Sequence, residues 1–317
     1  MNFKRYAARR IAQAIPVIFI VMTIVFFMVH LIPGNPAYVI LGAQASLEQI
    51  KVLEKQLGLD KPIYFQYVDW MGKVMRGNLG QSVITNKSII EELWIRFPIT
   101  LSLVIYSLII AVIVSYPLGI IAAVSRGTIK EYIVLLFSLF GLSVPIFWSS
   151  LILLLIFGVW FEIFKVVGFV SVFDNFWAGI KYLTLPAISL GTALAAINTR
   201  QIRSNMLDVL SSEYIVTAYA KGLSERSILM KHALKNAVIP SLTILGVQFG
   251  TLLGSTVLLE VVFTIPGMGR WIVYSIFSRD YPVVQACALV IATCVVFVNL
   301  GVDLLYGFID PKIKYEK

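Results

Sequence analysis

Few side chains in this 317-residue sequence have the types and spacing that catalysis requires. Its two histidines, His30 and His232, lie far apart in the chain, and no Ser/His/Asp set or paired carboxylates accompany them. The two cysteines, Cys287 and Cys294, lie in one apolar run at a spacing of about 10 Å along a helix, too far for a disulfide between them. Neither cysteine stands with a histidine or carboxylate that would complete a metal site. The residues therefore support neither a membrane-embedded enzyme nor a metal centre.

The polar residues that could bind a partner are concentrated in residues 211–240, SSEYIVTAYAKGLSERSILMKHALKNAVIP. Ser211 or Ser212 can cap a helix that Gly222 terminates, and Ser224 can begin a second helix that continues toward Asn236. A helix, a glycine break and a second helix predict a compact knob that stands off the membrane, which we call the hairpin. Its candidate docking residues are Glu213, Tyr214, Thr217, Ala218, Ala220, Lys221, Gly222, Leu223 and Ser224.

The hairpin has two interpretations on physical grounds. Its small residues would allow another protein surface to approach closely, and its lysines and arginines would attract acidic groups. An amphipathic hairpin that lies on the lipid surface explains the same pattern equally well. The residues alone leave both interpretations open.

The composition of the chain indicates an integral membrane protein. Apolar residues make up 59% of the sequence and charged residues only 14%, well below the quarter or so that is typical of soluble domains. The formal charge of +9 could suggest nucleic acid as a partner. However, the basic residues adjoin apolar runs and no nucleic-acid-binding motif is present, so we do not expect nucleic-acid binding.

Six apolar runs are long enough to cross a bilayer as helices, which predicts an all-α membrane protein. They are residues 11–32, 99–124, 132–161, 183–199, 237–259 and 283–306. The fourth is interrupted by Pro186 and Gly191. The first follows a basic start like that of a signal peptide, but it has no A-x-A-like cleavage site, so we expect a retained anchor.

The distribution of lysine and arginine predicts the orientation of these spans. Residues 1–10, the second connection, the coupling loop 200–236 and the tail 307–317 together hold 15 basic residues. The two short loops on the opposite side hold two each. We therefore expect a multi-pass protein of the cell membrane with both termini in the cytoplasm.

Residues 33–98 are predicted to form a small helical cap outside the membrane. After a Pro-Gly-Asn-Pro stop at 33–36, Ser46 with Gln49 forms a capping box, and Gly58 ends the helical pattern. A second run at 63–74 and a third helix, capped by Ser88 with Glu91, follow. Whether this cap contacts substrate or is only an ordered plug is open.

The spans carry almost no charge in their interiors, whereas ion-coupled transporters usually bury an ionisable or ion-coordinating group there. The chain also lacks the G-x-x-x-x-G-K-[ST] phosphate loop of an ATPase. The energy source for transport is therefore expected in another protein, and an ion-gradient transporter or channel is the alternative from a different functional class.

Gly246, Gly250 and Gly254 form two overlapping small-x-x-x-small repeats in the fifth span. Such a stripe allows another helix backbone to approach closely. That helix could belong to the same chain, or the stripe could line a subunit interface or the transport pathway.

The hairpin resembles the cytoplasmic loop of ATP-binding-cassette importer permeases, in the B-type subunit of the dipeptide, oligopeptide and nickel family. Of the general importer pattern, the chain retains Ala218, Gly222 and Leu234 but has Val216 where the family has glutamate. The peptide-branch form, T-A-x-A-K-G-L-S then H-A-x-x-N-A-x-x-P, is matched from Thr217 to Pro240. Other shared motifs are P-G-N-P-A at 33–37 with Asn35 for the usual Asp, L-G-L-D-x-P at 57–62, G-N-L-G-x-S at 77–82, P-G-M-G-R at 266–270, R-D-Y-P-V-V-Q at 279–285 and D-P-K-I-K-Y at 310–315.

The resemblance implies the type I importer permease fold, with a permease core at 99–306 that forms half of a translocation pore. It also implies a second homologous permease subunit, two cytoplasmic ATPase subunits that bring ATP and magnesium, and an extracytoplasmic substrate-binding protein. The hairpin would dock on an ATPase, and no cofactor is expected in this chain. Dipeptides or longer peptides are the expected cargo, with nickel or another small solute as the alternative within the family.

Overall fold

The computed structural model describes residues 3–31, 37, 41, 45–165 and 168–309. The predicted Pro-Gly-Asn-Pro stop at 33–36 and the tail beyond residue 309 lie outside the described residues. The first six helices are α1 (Phe3–His30), α2 (Leu47–Leu57), α3 (Ile63–Met75), α4 (Ile89–Val124), α5 (Ile129–Ser143) and α6 (Ile146–Leu153). The remaining six are α7 (Phe176–Leu210), α8 (Glu213–Ala220), α9 (Glu225–Ser227), α10 (Leu234–Val262), α11 (Met268–Phe277) and α12 (Tyr281–Ile309).

The all-α prediction is confirmed. Within the described ranges the chain forms helices, together with one isolated antiparallel bridge between Gln81 and Ser88. Five of the helices are long and apolar enough to cross a membrane, and the bent pair of α5 with α6 and its extension would make a sixth span. The chain is therefore a multi-pass membrane protein.

The third predicted span, 132–161, is wrong as a single helix. Helix α5 ends at Ser143, and α6 continues as a π-helix over Leu154–Trp160, with a bend of 99° between the two halves. Pro145 causes this break because its ring disfavours helical geometry in the preceding residue. Val144 accordingly has extended dihedrals, φ −86° and ψ 123°.

At two other places the structure has one continuous helix where the sequence predicted a separate element or an interruption. Helix α4 begins at Ile89 and runs through Pro98, so the third cap helix is the first part of the second span. Ser88 occupies the N-cap position without a side-chain capping bond. Helix α7 runs unbroken through Pro186, which is buried, and ends only at Leu210.

Helices α4 and α7 form the centre of the fold and run parallel to each other. Gly191 of α7 lies against Ser107 of α4, while Gly119 of α4 lies against Ile202 further along α7. A Cβ added to Gly119 would be 2.8 Å from the Ile202 side chain, so the backbones approach too closely for a larger residue. Buried leucines from α4, α7 and α10 complete the core around this contact.

The two ends of the fold carry different structures. At one end, Arg10 of α1 forms an ion pair with Asp303 of α12, 3.1 Å between Nη1 and Oδ2. We call the opposite end the cap end, because α2 and α3 lie there. The predicted capping box of Ser46 with Gln49 is present, and Gly58 ends α2 at φ 71°.

The cap segment is fastened to the spanning helices at two points. The rings of Phe26 in α1 and Trp70 in α3 lie 5.6 Å apart between centroids. Asp280, which precedes α12, accepts a 2.5 Å hydrogen bond from the Ser82 hydroxyl and a 3.2 Å bond from the Val83 amide. The cap is therefore an ordered part of the fold.

Candidate functional site

The hairpin consists of α8, the turn at Gly222 and α9 with its π-helical extension over Ile228–Ala233. It begins where α7 ends, at the two serines that the sequence offered as caps. Ser212 is the N-cap residue of α8, but its side chain does not cap the helix. Instead, the hydroxyl of Ser212 donates to the carbonyl of Val209, and that of Ser211 donates to the carbonyl of Asp208. The serines therefore satisfy carbonyls at the end of α7.

Gly222 forms the corner of the hairpin, as the sequence predicted. Its φ is +73°, in the left-handed region that glycine adopts without strain. The amide of Gly222 donates to the carbonyl of Tyr219 at 2.9 Å, and that of Leu223 donates to the carbonyl of Ala218 at 3.4 Å. This pair of bonds is a Schellman motif, which sets the direction in which the chain leaves α8.

The hairpin packs on the ends of the spanning helices α4 and α7. Ile215 and Ile228 are fully buried, and they share a cluster with Ile202 and Met206 of α7 and Ala123 of α4. Fully burying a side chain of this size stabilises a fold by about 1.5–3 kcal/mol. A polar bond adds to this packing, since Asn236 Nδ2 donates to the Tyr214 hydroxyl at 2.8 Å.

Apolar and aromatic side chains on the rest of α8 are exposed. Tyr214, Val216 and Tyr219 are 45%, 62% and 49% exposed, and Leu223 after the corner is 40% exposed. The predicted docking residues therefore divide. Ala218 is buried against the fold, whereas Glu213, Tyr214, Thr217, Ala220, Lys221, Gly222, Leu223 and Ser224 are exposed.

An ion pair beside the hairpin was not predicted from the sequence. Arg203 of α7 donates from Nε to Glu131 Oε1 at 2.7 Å, and from Nη2 to the same oxygen. Glu131 also accepts from the amide of Gly127, in the turn between α4 and α5. The pair fixes that turn to α7. Because the partners are 72 residues apart, no local pattern in the sequence indicates the pair.

A buried amide pair connects α7 to α10. Asn198 Nδ2 donates to Gln248 Oε1 at 3.0 Å, and Gln248 Nε2 donates back to Asn198 Oδ1 at 2.8 Å. Both residues are buried among apolar side chains that cannot form hydrogen bonds. Each amide therefore supplies the hydrogen-bond partner that the other requires. Because the two residues are 50 positions apart, no local pattern in the sequence indicates the pair.

A buried carboxylate near the cap end of α10 bonds to two other helices. Glu260 is fully buried and accepts from the Thr100 hydroxyl of α4 at 2.6 Å and from the Arg270 amide of α11 at 2.9 Å. Gly267 and Gly269 lie so close to Glu260 that a Cβ on either would come within 3.0 Å of its carboxylate. The P-G-M-G-R turn is therefore wrapped around a carboxylate that joins three helices.

The three glycines of α10 have different surroundings. Gly246 and Gly250 face Val302 and Val295 of α12, where the helices meet closely. A Cβ on Gly254 would have nothing within 4 Å. Two of the three therefore lie at a helix contact within the chain, and the third is on the open face of α10.

Comparison with known proteins gives the family that the sequence motifs resemble, and the matches cover nearly all of the chain. A family model for the binding-protein-dependent transport system inner membrane component matches residues 115–315, and the model for the N-terminal part of such membrane components matches residues 3–104. The dipeptide transport system permease protein DppB of Alkalihalophilus pseudofirmus is 43% identical, with 98% of this chain and 99% of the relative covered.

Two further relatives are named for different cargoes. The di/tripeptide transport system permease protein DppB of Pseudomonas aeruginosa is 40% identical, and so is the glutathione transport system permease protein GsiC of Escherichia coli. Each alignment covers 98% of this chain and 99% of the relative. This chain therefore belongs to the family of inner-membrane components of binding-protein-dependent transport systems.

Proposed function

We propose that the chain is the permease subunit of an ATP-driven, binding-protein-dependent importer of short peptides. The relatives named for dipeptides, di/tripeptides and glutathione support this class of cargo, since all are short peptides. The subunit would form half of a translocation pore with a second homologous permease chain. An extracytoplasmic binding protein would deliver the cargo, and two separate ATPase subunits would bind ATP and magnesium.

We propose the hairpin as the docking surface for one ATPase subunit, and the division of its residues carries this assignment. The inner face of α8 is held in the fold by Ile215 and Ala218. Val216 and Tyr219 of the same helix are exposed and are not covered by any other described part of the chain. Exposed aromatic and apolar side chains on a rigidly held helix are typical of a binding surface. Movement of a docked ATPase would pass through the hairpin into α7 and α10.

The membrane orientation that we propose has the hairpin in the cytoplasm and the cap outside. Two contacts support a common side for both termini, because the Tyr6 hydroxyl donates to the Asp303 carbonyl at 3.2 Å and Arg10 pairs with Asp303. These contacts join the beginning of α1 to the last part of α12. The basic residues of the hairpin favour the cytoplasmic side for that end.

The proposal is tested with the purified complex in proteoliposomes. Uptake of labelled dialanine should require the binding protein and internal ATP, and excess unlabelled dipeptide should abolish it. Nickel that competes for uptake would assign the cargo to the alternative class. Uptake that persists without ATP and follows the membrane potential would refute the ATP-driven mechanism.

The docking assignment has its own test. Cysteine introduced at Val216 on the open face of α8 and labelled with a thiol-to-amine cross-linker should become linked to an ATPase subunit, whereas cysteine at the buried Ile215 should not. Equal cross-linking at the two positions, or none at Val216, would reject α8 as the docking surface.

A further inference from the structure

A cavity of about 400 Å³ lies at the cap end between the cap and the spanning helices. The end of α1, helix α3, the connection around residues 78–83 and the start of α12 form its walls. Its volume is in the range of pockets that hold small organic ligands, about 300–1,000 Å³. The transport function described above assigns no role to this cavity.

Gln285 is a largely buried polar side chain in the cavity wall that has no hydrogen-bond partner among the described residues. The residue is only 7% exposed, and it lines the cavity from the second turn of α12. Its amide makes no hydrogen bond within the part of the chain that the structure describes. The amide atoms of Gln285 are not among the fully buried, unpartnered polar atoms of the described residues, so they are accessible from the cavity. A ligand with hydrogen-bonding groups could therefore bond this amide without displacing a bond within the chain.

Gln66, in the same cavity wall, has a side-chain amide that is hydrogen-bonded within the chain. Its Nε2 donates to the carbonyl of Lys61 at 2.8 Å and to that of Leu59 at 3.4 Å. The amide of Gln66 is thus occupied in fixing the turn between α2 and α3. Gln285 differs from Gln66 in that no such bond occupies its amide.

The charges around the cavity match a ligand with both signs. Lys61 and Lys73 line it, and so does Asp69, whose Oδ2 lies 2.7 Å from Lys73 Nζ. The hydrogen bond from Lys73 lowers the pKa of Asp69, which keeps this carboxylate ionised. The N-terminal turn of α12, with Tyr281 and Pro282 in the wall, adds the positive end of a long helix dipole.

Much of the remaining wall is apolar, and it includes three aromatic rings. Phe26, Phe65 and Trp70 contribute rings to the cavity. Aromatic walls with a few polar groups are typical of sites for small organic molecules. Rings and one unpaired amide would serve the side chains and the peptide bond of a ligand, while the lysines and Asp69 would serve its termini.

We propose that this cavity binds a short zwitterionic peptide, with its carboxylate toward Lys61 and the start of α12 and its peptide bond on the Gln285 amide. The proposal rests on the proposed peptide cargo. It adds a second place, inside the permease chain itself, where cargo is held. A peptide released at the cap end would bind there before it enters the pore.

The test measures equilibrium binding of radiolabelled dialanine to the assembled transporter in nanodiscs, without the binding protein and without ATP. Saturable binding is expected, and dialanine blocked at both termini should bind at least tenfold more weakly because it lacks both charges. Gln285→Leu and Lys61→Ala should each weaken binding of dialanine about tenfold, the usual effect of losing a hydrogen bond to a charged or buried group. Lys61 is exposed, so its substitution does not endanger folding.

Asn299→Leu is the matched control, since it removes an amide from an exposed position on the same helix, away from the cavity. This variant should bind dialanine as the unchanged chain does. No saturable binding, equal affinity for the blocked peptide, equal affinity in the Gln285 and Lys61 variants, or a cavity filled by lipid in the purified complex would each overturn the inference. ATP-driven uptake by the complete system is measured in parallel. Uptake without binding in the cavity refutes this inference alone, whereas loss of all peptide uptake by the unchanged chain refutes the proposed function.

Discussion

The corner of the hairpin offers the sharpest test of how force enters the permease. Gly222 has φ +73°, and a Cβ added there would have nothing within 4 Å. A larger residue is therefore disfavoured within this chain only by its backbone conformation. An L-residue in this region costs about 1–2 kcal/mol. That energy corresponds to a factor of roughly 5–30 between the native corner and any competing geometry.

A graded series follows from this value. Asparagine tolerates the left-handed region and alanine tolerates it less, while a β-branched residue is a strong outlier there. Uptake of dipeptide should therefore decrease in the order Gly222, Gly222→Asn, Gly222→Ala and Gly222→Val. ATP hydrolysis by the complex should decrease less than uptake, because the ATPase subunits are intact while the connection to the pore is altered.

Gly127 provides a matched control in another turn. Its φ is +77°, and it too has nothing within 4 Å of an added Cβ. Gly127→Ala carries the same backbone strain outside the hairpin, so it should lower thermal stability as much as Gly222→Ala but preserve the number of peptides transported per ATP. Equal loss of this ratio in both alanine variants, or normal uptake by Gly222→Val, would refute the role of the corner.

Three contacts inside the fold give further predictions, each measured on the purified chain. Glu260→Leu leaves the Thr100 hydroxyl without its acceptor and should destabilise the protein by about 1–3 kcal/mol in thermal unfolding, more than Glu260→Gln does; the reverse order would contradict the hydrogen-bonding account. Asn198→Leu should destabilise by a similar amount because it orphans Gln248, and replacing both with leucine should recover part of the loss; strict additivity would argue against the pair. Asp280→Ala should speed amide hydrogen exchange in the cap connection around residues 82–85 without changing that in the hairpin, and unchanged exchange would mean that Asp280 does not fasten the cap.

Local signals in the sequence were enough to identify several features of the fold. The Ser46 capping box and the stop at Gly58 depend on residues within a few positions, and the structure has both. The same is true of Gly222, whose position between two helical patterns required a left-handed residue. Such features follow from backbone geometry, so distant parts of the chain have little influence on them.

The prolines show where local signals fail. Pro145 breaks the third span, whereas Pro186 and Pro98 lie inside unbroken helices. A proline removes one hydrogen bond in each case, but α7 remains helical around Pro186, which is buried within the fold. Which proline breaks a helix therefore depends on its neighbours in space.

The polar contacts of the candidate site could not be predicted from the sequence because they too depend on neighbours in space. Thr100 and Glu260 are separated by 160 residues, and Asn198 and Gln248 by 50. Pairing such groups requires knowledge of which helices are neighbours and of their rotation about their axes. Apolar periodicity gives neither for spans that are apolar on almost every face.

The second half of the hairpin and the fifth span form one continuous helix. The chain is helical without interruption from Glu225 to Val262, through the π-helical turns at residues 228–233. This helix is about 57 Å long, and it carries the hairpin at one end and Glu260 at the other. One inserted residue would rotate Glu260 by about 100° relative to the hairpin and move it by about 1.5 Å. The number of residues in this helix is therefore itself a constraint, and changes in chain length can be accommodated only outside it.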